Sequence, residues 1–100
     1  MDETSFARAI EAEGGDALAA PLIRAKLMVL VDEPGFTPHP GDSLLRVFGL
    51  AEEDKDEDLI LAVLEELGLR PPDQATVMAF GEIDTPLRVA EFVTLARAGQ

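Results

Sequence analysis

The chain has 100 residues, 47% of them hydrophobic, which suits one small domain that buries roughly 60 to 65% of the surface its unfolded chain exposes. Twenty acidic against eight basic residues give a formal charge of −12. That field repels phosphate backbones and anionic lipid, which argues against direct nucleic-acid or membrane binding and favours partners with basic patches.

Apolar residues recur at three and four positions through most of the chain, the helical period, and few stretches alternate as a half-buried strand would. The expectation is an all-α protein, a compact bundle of four to five short helices. Met1 to Ser5 lack the basic and apolar regions of a signal peptide, and without cysteine no disulfide or thiolate metal site can contribute. A soluble, cytoplasmic protein is the reading.

Thr4 or Ser5 is expected to cap a first helix carrying Phe6, Ala9 and Ile10, ended by Gly14-Gly15. Residues 1–20 read as an N-terminal helical extension and 21–100 as the bundle. Asp16 offers another cap, but Pro21 has no amide hydrogen to donate inside a helix and is read as the first residue of the second one, with Ile23, Leu27, Leu30 and Val31 inward. The loop from Pro34 to Gly41 is dense in turn formers. Asp42 or Ser43 then caps a short helix with Leu44, Leu45 and Phe48 on one face, stopping at Gly49.

The acidic block Glu52 to Asp58 leads into the most regular pattern, where Leu59, Ile60, Val63, Leu64 and Leu67 share one side and Gly68 closes the helix. Pro71-Pro72-Asp73 opens a short helix with Val77, Met78 and Phe80, and Thr85-Pro86 starts a last one whose Val89, Phe92, Val93 and Ala96 point inward.

Candidate chemistry is sparse. Gly41-Asp42-Ser43-Leu44 spells the signature of a family of serine esterases and lipases, but a serine nucleophile needs a base, and the one histidine, His39, lies four residues upstream in the same loop. His39 alone cannot build a metal site, which needs several converging ligands. The acidic block lacks the glycine and spacing of an EF-hand, so at most a hard cation associates loosely with it. Carboxylate pairs such as Glu65-Glu66 and Asp56-Glu57 lie on the polar face of an amphipathic helix, a solvated surface. No catalytic residue, metal ligand or bound cofactor is expected, and the chain does not read as an enzyme.

From Pro21 onward the order of elements resembles acyl carrier proteins, small acidic helical domains that carry substrates on a phosphopantetheine arm. The residues that carry the resemblance are Thr37-Pro38 and Ser43 to Leu50 in the approach to the second helix, Glu57 to Leu67 as its acidic recognition helix, and Ile83 to Val93 as the closing turn and last helix. The resemblance implies docking onto a basic partner protein, an acyl-transfer or biosynthetic enzyme, through Glu52, Glu53, Asp54, Asp56, Glu57 and Glu65. In that family an Asp-Ser-Leu triplet begins the acidic helix. Here Glu52 to Asp54 stand at that place, and no serine or threonine occurs from Leu44 to Ala75. The expected role is therefore docking without phosphopantetheine. One alternative makes Ser43, in the triplet Asp42-Ser43-Leu44, the phosphopantetheine anchor. Another is an acidic inhibitor, antitoxin or nucleic-acid mimic whose carboxylates, including Asp32, Glu33 and Asp73, imitate phosphates.

Overall fold

The computed structural model describes every residue except 32, and among the described residues every regular element is a helix. The helices are α1 (Glu3–Ala12), α2 (Ala19–Val31), α3 (Leu44–Phe48), α4 (52–66), α5 (Gln74–Phe80) and α6 (Pro86–Ala98). Helix α4 is continuous, made of an α turn at Glu52–Asp54, a π-helical stretch at Lys55–Leu61 and a closing α segment at Ala62–Glu66. Among the described residues no helix is long and apolar enough to cross a membrane.

One core joins the helices. Phe6 and Ile10 of α1, Ile23 and Leu27 of α2, Leu44 of α3, Leu59, Val63 and Leu64 of α4, and Val89 and Val93 of α6 are all essentially inaccessible to solvent. Each such side chain contributes on the order of 1.5 to 3 kcal/mol by leaving water. Helix α1, read from the sequence as an extension to the bundle, thus supplies two of the most deeply buried side chains.

The inward stripes expected for α4 and α6 are those observed: Leu59, Ile60, Val63 and Leu64 are buried, as are Val89, Phe92, Val93 and Ala96. Other expectations need correction. Asp2, not Thr4 or Ser5, caps α1, because its carboxylate accepts from Ser5 N at 2.7 Å. Helix α2 begins at Ala19, not Pro21: Asp16 Oδ1 accepts from Leu18 N and Ala19 N, both at 3.0 Å. Pro21 is accommodated because it falls near the start of the coil, where few amides have helical partners. Leu30 and Leu45, expected inside, are 41% and 65% exposed. Helix α5 buries none of its side chains; Val77 and Met78 face out, and Phe80 alone packs on the core, edge to face with Phe92 at 5.4 Å.

The connection between α1 and α2 packs closely against α6. Asp16 N donates to Ala90 O at 3.1 Å and Thr94 Oγ1 to Gly14 O at 3.0 Å, so the turn is bonded along α6. At Gly15 a β-carbon would stand 2.5 Å from Ile10 Cγ2 and 2.8 Å from the Ala90 β-carbon, closer than carbon atoms pack. Glycine is needed here for space, not for its dihedral freedom. The Asp16 carboxylate then pairs with Arg97 of α6, Nε to Oδ2 at 2.6 Å and Nη2 to Oδ1 at 3.3 Å. Burial pushes this carboxyl up, but the hydrogen bond from Arg97, the amides of Ala19 and Leu18 and the Arg97 charge outweigh it and hold it below the ordinary carboxylate range.

Two predictions follow from this turn. Gly15→Ala should cost roughly 1 to 3 kcal/mol through overpacking, read as a lower midpoint in urea, with α-helical circular dichroism retained. Asp16→Asn keeps an oxygen to cap the helix but loses the charge opposite Arg97, and should cost about 1 kcal/mol at neutral pH, the usual worth of a charge-assisted hydrogen bond whose arginine is partly exposed. Because the folded-state value lies below the unfolded one, this stability is complete above the unfolded pKa and is lost as pH falls through the folded one. The gap between wild type and Asp16→Asn in urea unfolding should therefore close in acid. A constant gap would show that the charge is not what Asp16 contributes. Asp2, lowered by the Ser5 amide, and Asp73, lowered by its bond with Thr76, share the same sign, so only the difference between the two proteins isolates Asp16.

Candidate functional site

Helix α4 presents the acidic surface, and its orientation is set from behind. Leu59, Ile60, Val63 and Leu64 are drawn into the core, which turns the remaining positions outward. Glu52, Glu53 and Asp54 occupy the first turn, Asp56, Glu57 and Asp58 the π-helical stretch and Glu65 the far end, and all seven are exposed. Carboxylates at a helix start complement the positive end of the backbone dipole, but seven like charges also repel. Glu65 lies along the rod roughly 20 Å from Glu52 at α-helical rise, so the row is extended, not a single cluster.

The cation in the middle of this block behaves differently from its neighbours. Lys55 is only 6% exposed. Its stem runs inward and its ammonium meets Glu52 Oε1 at 3.2 Å, a partner that is itself 80% exposed on its side chain. In the sequence, residues 52–58 read as one acidic block with no separate place for Lys55. The available signal was spacing, since Lys55 lies one helical turn before Leu59 and so belongs to the inward stripe. With Lys55 turned inward, the exposed side chains of residues 52–58 are all acidic, and Glu53, Asp54, Asp56, Glu57, Asp58 and Glu65 have no cation within ion-pair distance among the described residues. Glu66, by contrast, is tied to Lys26 of α2 at 2.8 Å.

Ser43 stands at the N-cap of α3, its Oγ accepting from Arg46 N at 3.1 Å. Gly49, at φ 67°, ends that helix after one turn by adopting the left-handed conformation, and Leu50 N returns to Leu44 O at 3.0 Å. The sharp stop brings the start of α4 back beside Ser43. Ser43, Arg46, Glu52, Lys55, Glu82 and Asp84 share the wall of an open depression of about 410 Å³. A backbone bond, Leu44 N to Asp84 O at 2.9 Å, fixes its other side. The structure thus brings Ser43 together with Glu52 but leaves Ser43 outside α4.

The esterase signature has no catalytic geometry. His39 is exposed and bonds to Asp42 through its backbone, its N donating to Asp42 Oδ2 at 2.9 Å and its O accepting from Asp42 N at 3.1 Å; the Ser43 hydroxyl serves the helix cap. Among the described residues no three His, Asp or Glu side chains converge as a metal cage would require. Of the carboxylates considered for phosphate mimicry, Glu33 is exposed, Asp73 caps α5 through Thr76 N at 2.8 Å, and Asp32 lies outside the described residues. No family model matches the chain, and neither a curated protein nor a solved structure matches it.

Charge reversals in this block should separate by position. Lys55→Glu should destabilise by about 3 kcal/mol or more, since it buries an unpaired carboxylate opposite Glu52. Asp56→Lys and Glu57→Lys, on the outer face, should stay within about 0.5 kcal/mol of wild type. Thermal melts of the three variants check this, and equal losses would contradict the inward placement of Lys55.

Proposed function

We propose that this chain is a small acidic docking domain of the carrier-protein type, which binds a basic patch on a partner protein through α4 and performs no chemistry of its own. The supporting observation is the row Glu53, Asp54, Asp56, Glu57, Asp58 and Glu65, fully outward and without internal counter-ions among the described residues. Like charges held on a rigid helix repel one another until a cationic surface approaches. Association then relieves that repulsion and is steered at long range, so its rate falls with salt. An acyl-transfer or biosynthetic enzyme with a basic patch is the partner class this reading carries.

A second reading has an observation of its own in favour. Ser43 shares a depression with Glu52, so a phosphopantetheine arm attached to its hydroxyl would emerge beside the acidic helix, as a carrier requires. A third reading, an acidic inhibitor, antitoxin or nucleic-acid mimic, uses the total charge instead of one helix.

Two experiments separate the three. A partner captured from cell extract and purified is titrated with wild type, with Glu53, Asp56, Glu57 and Glu65 changed to Lys, and with Glu3, Glu11, Glu13 and Glu33 changed to Lys. The docking reading expects affinity to fall by about a hundredfold or more only in the first set; equal losses from both sets favour mimicry. Intact mass after incubation with a phosphopantetheinyl transferase and coenzyme A should not change. A gain of one arm, abolished by Ser43→Ala, would replace the unmodified reading with that of a working carrier.

A further inference from the structure

The second helix is apolar almost all round: from Ala19 to Val31 only Arg24 and Lys26 are charged. A helix of that kind is normally enclosed. This one is not. Ile23 and Leu27 face the core, while Val29, Leu30 and Met28 are 78%, 41% and 38% exposed, as is Leu18 just before the helix at 63%. Single apolar residues at a surface are ordinary, but a concave run of them is characteristic of a binding surface. Leu22, Ala25, Val29 and Leu30 lie at helical spacing along one side of α2 and line an open groove of about 360 Å³ shared with α4.

The rim of the groove identifies its occupant. Asp58 and Glu66 of α4 border it, flanked in sequence by Glu57 and Glu65, and the one cation on its edge, Lys26, is already engaged by Glu66 at 2.8 Å. Asp58 has no ion-pair partner among the described residues. An apolar floor with an acidic border complements a helix that carries aliphatic residues on one face and lysine or arginine along its flanks. A second copy of this chain fits poorly, because two molecules of charge −12 would meet along their acidic borders. A groove between two helices offers no sheet edge for strand addition, which favours a helical over an extended segment.

We propose that the groove between α2 and α4 receives a basic amphipathic helix of the partner protein, its aliphatic residues against Leu22, Val29 and Leu30 and its cations beside Asp58 and the adjacent Glu57, which have no ion-pair partner among the described residues. This rests on the docking reading above and specifies the partner segment by its chemistry.

The test uses a dye-labelled peptide of leucine and lysine at helical spacing, about five turns long, with a scrambled peptide of the same composition and a leucine-glutamate version as controls. Fluorescence anisotropy should detect binding of the amphipathic basic peptide, with the scrambled one about tenfold weaker and the acidic one unbound. Val29→Lys should weaken binding by about tenfold and Val29→Ser by a few-fold. Glu11→Lys, a larger charge change outside the groove, should have less effect than either. Because Val29 is exposed, both variants should keep the wild-type circular dichroism and melting temperature, and Val29→Ser guards against a fold defect in the lysine variant.

Equal binding of the scrambled peptide, or equal effects of Val29→Lys and Glu11→Lys, would overturn the proposal. So would a wild-type dimer in sedimentation that Val29→Lys dissociates, since the occupant would then be a second copy. With the captured partner, Val29→Lys should weaken binding alongside the reversal of Glu53, Asp56 and Glu57. If the reversal abolishes binding and Val29→Lys does not, docking through α4 stands and the groove falls. If neither matters, both fall.

Discussion

The close approach of the Gly14-Gly15-Asp16 turn to α6 is the constraint on which the arrangement depends. Helices α1 and α2 are each too short to persist alone in water, and their relative direction is fixed where residue 15 lies against Ile10 and Ala90 with no room for a side chain. Asp16 then serves several partners: its amide bonds to Ala90 O, its carboxylate caps α2 and the same carboxylate holds Arg97. With α1 and α2 so placed on α6, α4 reaches the core along α2, and Lys26 bonded to Glu66 ties the two at the surface. The outward direction of the carboxylates thus depends on where α2 lies, which the glycine turn helps to fix.

The acidic face is held at an electrostatic cost that the core must offset. Glu53, Asp54, Asp56, Glu57 and Asp58 fall within about two turns, and repulsion between neighbours on one helix costs a few tenths of a kcal/mol per pair. Burying Leu59, Ile60, Val63 and Leu64 on the same helix yields several times that. Lys55 adds a local correction. It neutralises Glu52 from within, at the start of the π-helical stretch, without placing a positive charge on the outer surface. Widened helical turns recur at functional positions, and here the widened turn coincides with the densest part of the acidic row.

How much was legible in the sequence depended on whether a helix has one neighbour or several. Helices α4 and α6 carry a single apolar stripe, so the 3.6-residue period identified their buried residues directly. Helix α2 has apolar residues on nearly every side, and period alone could not say that Leu30 faces solvent while Ile23 does not; only the position of α6 and α4 decides that. Leu45 failed for a related reason, since Gly49 ends α3 after a single turn and leaves only Leu44 and Phe48 within reach of the core. Caps were ambiguous by one turn because Asp2, Thr4 and Ser5 are all competent acceptors, as are Asp42 and Ser43. The carboxylates of the site were readable as a charge run. The inward turn of Lys55 and the bond from Arg97 to Asp16 were not, because one depends on helix phase and the other joins residues 81 positions apart.

Charge alone would make a poor recognition surface, because exposed ion pairs are individually weak and screened by salt at distances beyond about 8 Å. Apolar contact alone would be adhesive without being selective. In this fold the two features adjoin, since Asp58 and Glu66 border a groove whose floor is Leu22, Ala25, Val29 and Leu30. The proposed docking role divides labour between them: the carboxylates of α4 set the rate and orientation of approach, and the apolar floor sets how long a complex lasts. On that proposed reading α4 works through charge and contact, without a catalytic group. Its chemistry is the persistence of unpaired negative charge beside an uncovered apolar face, two conditions that a well-packed monomer would otherwise eliminate.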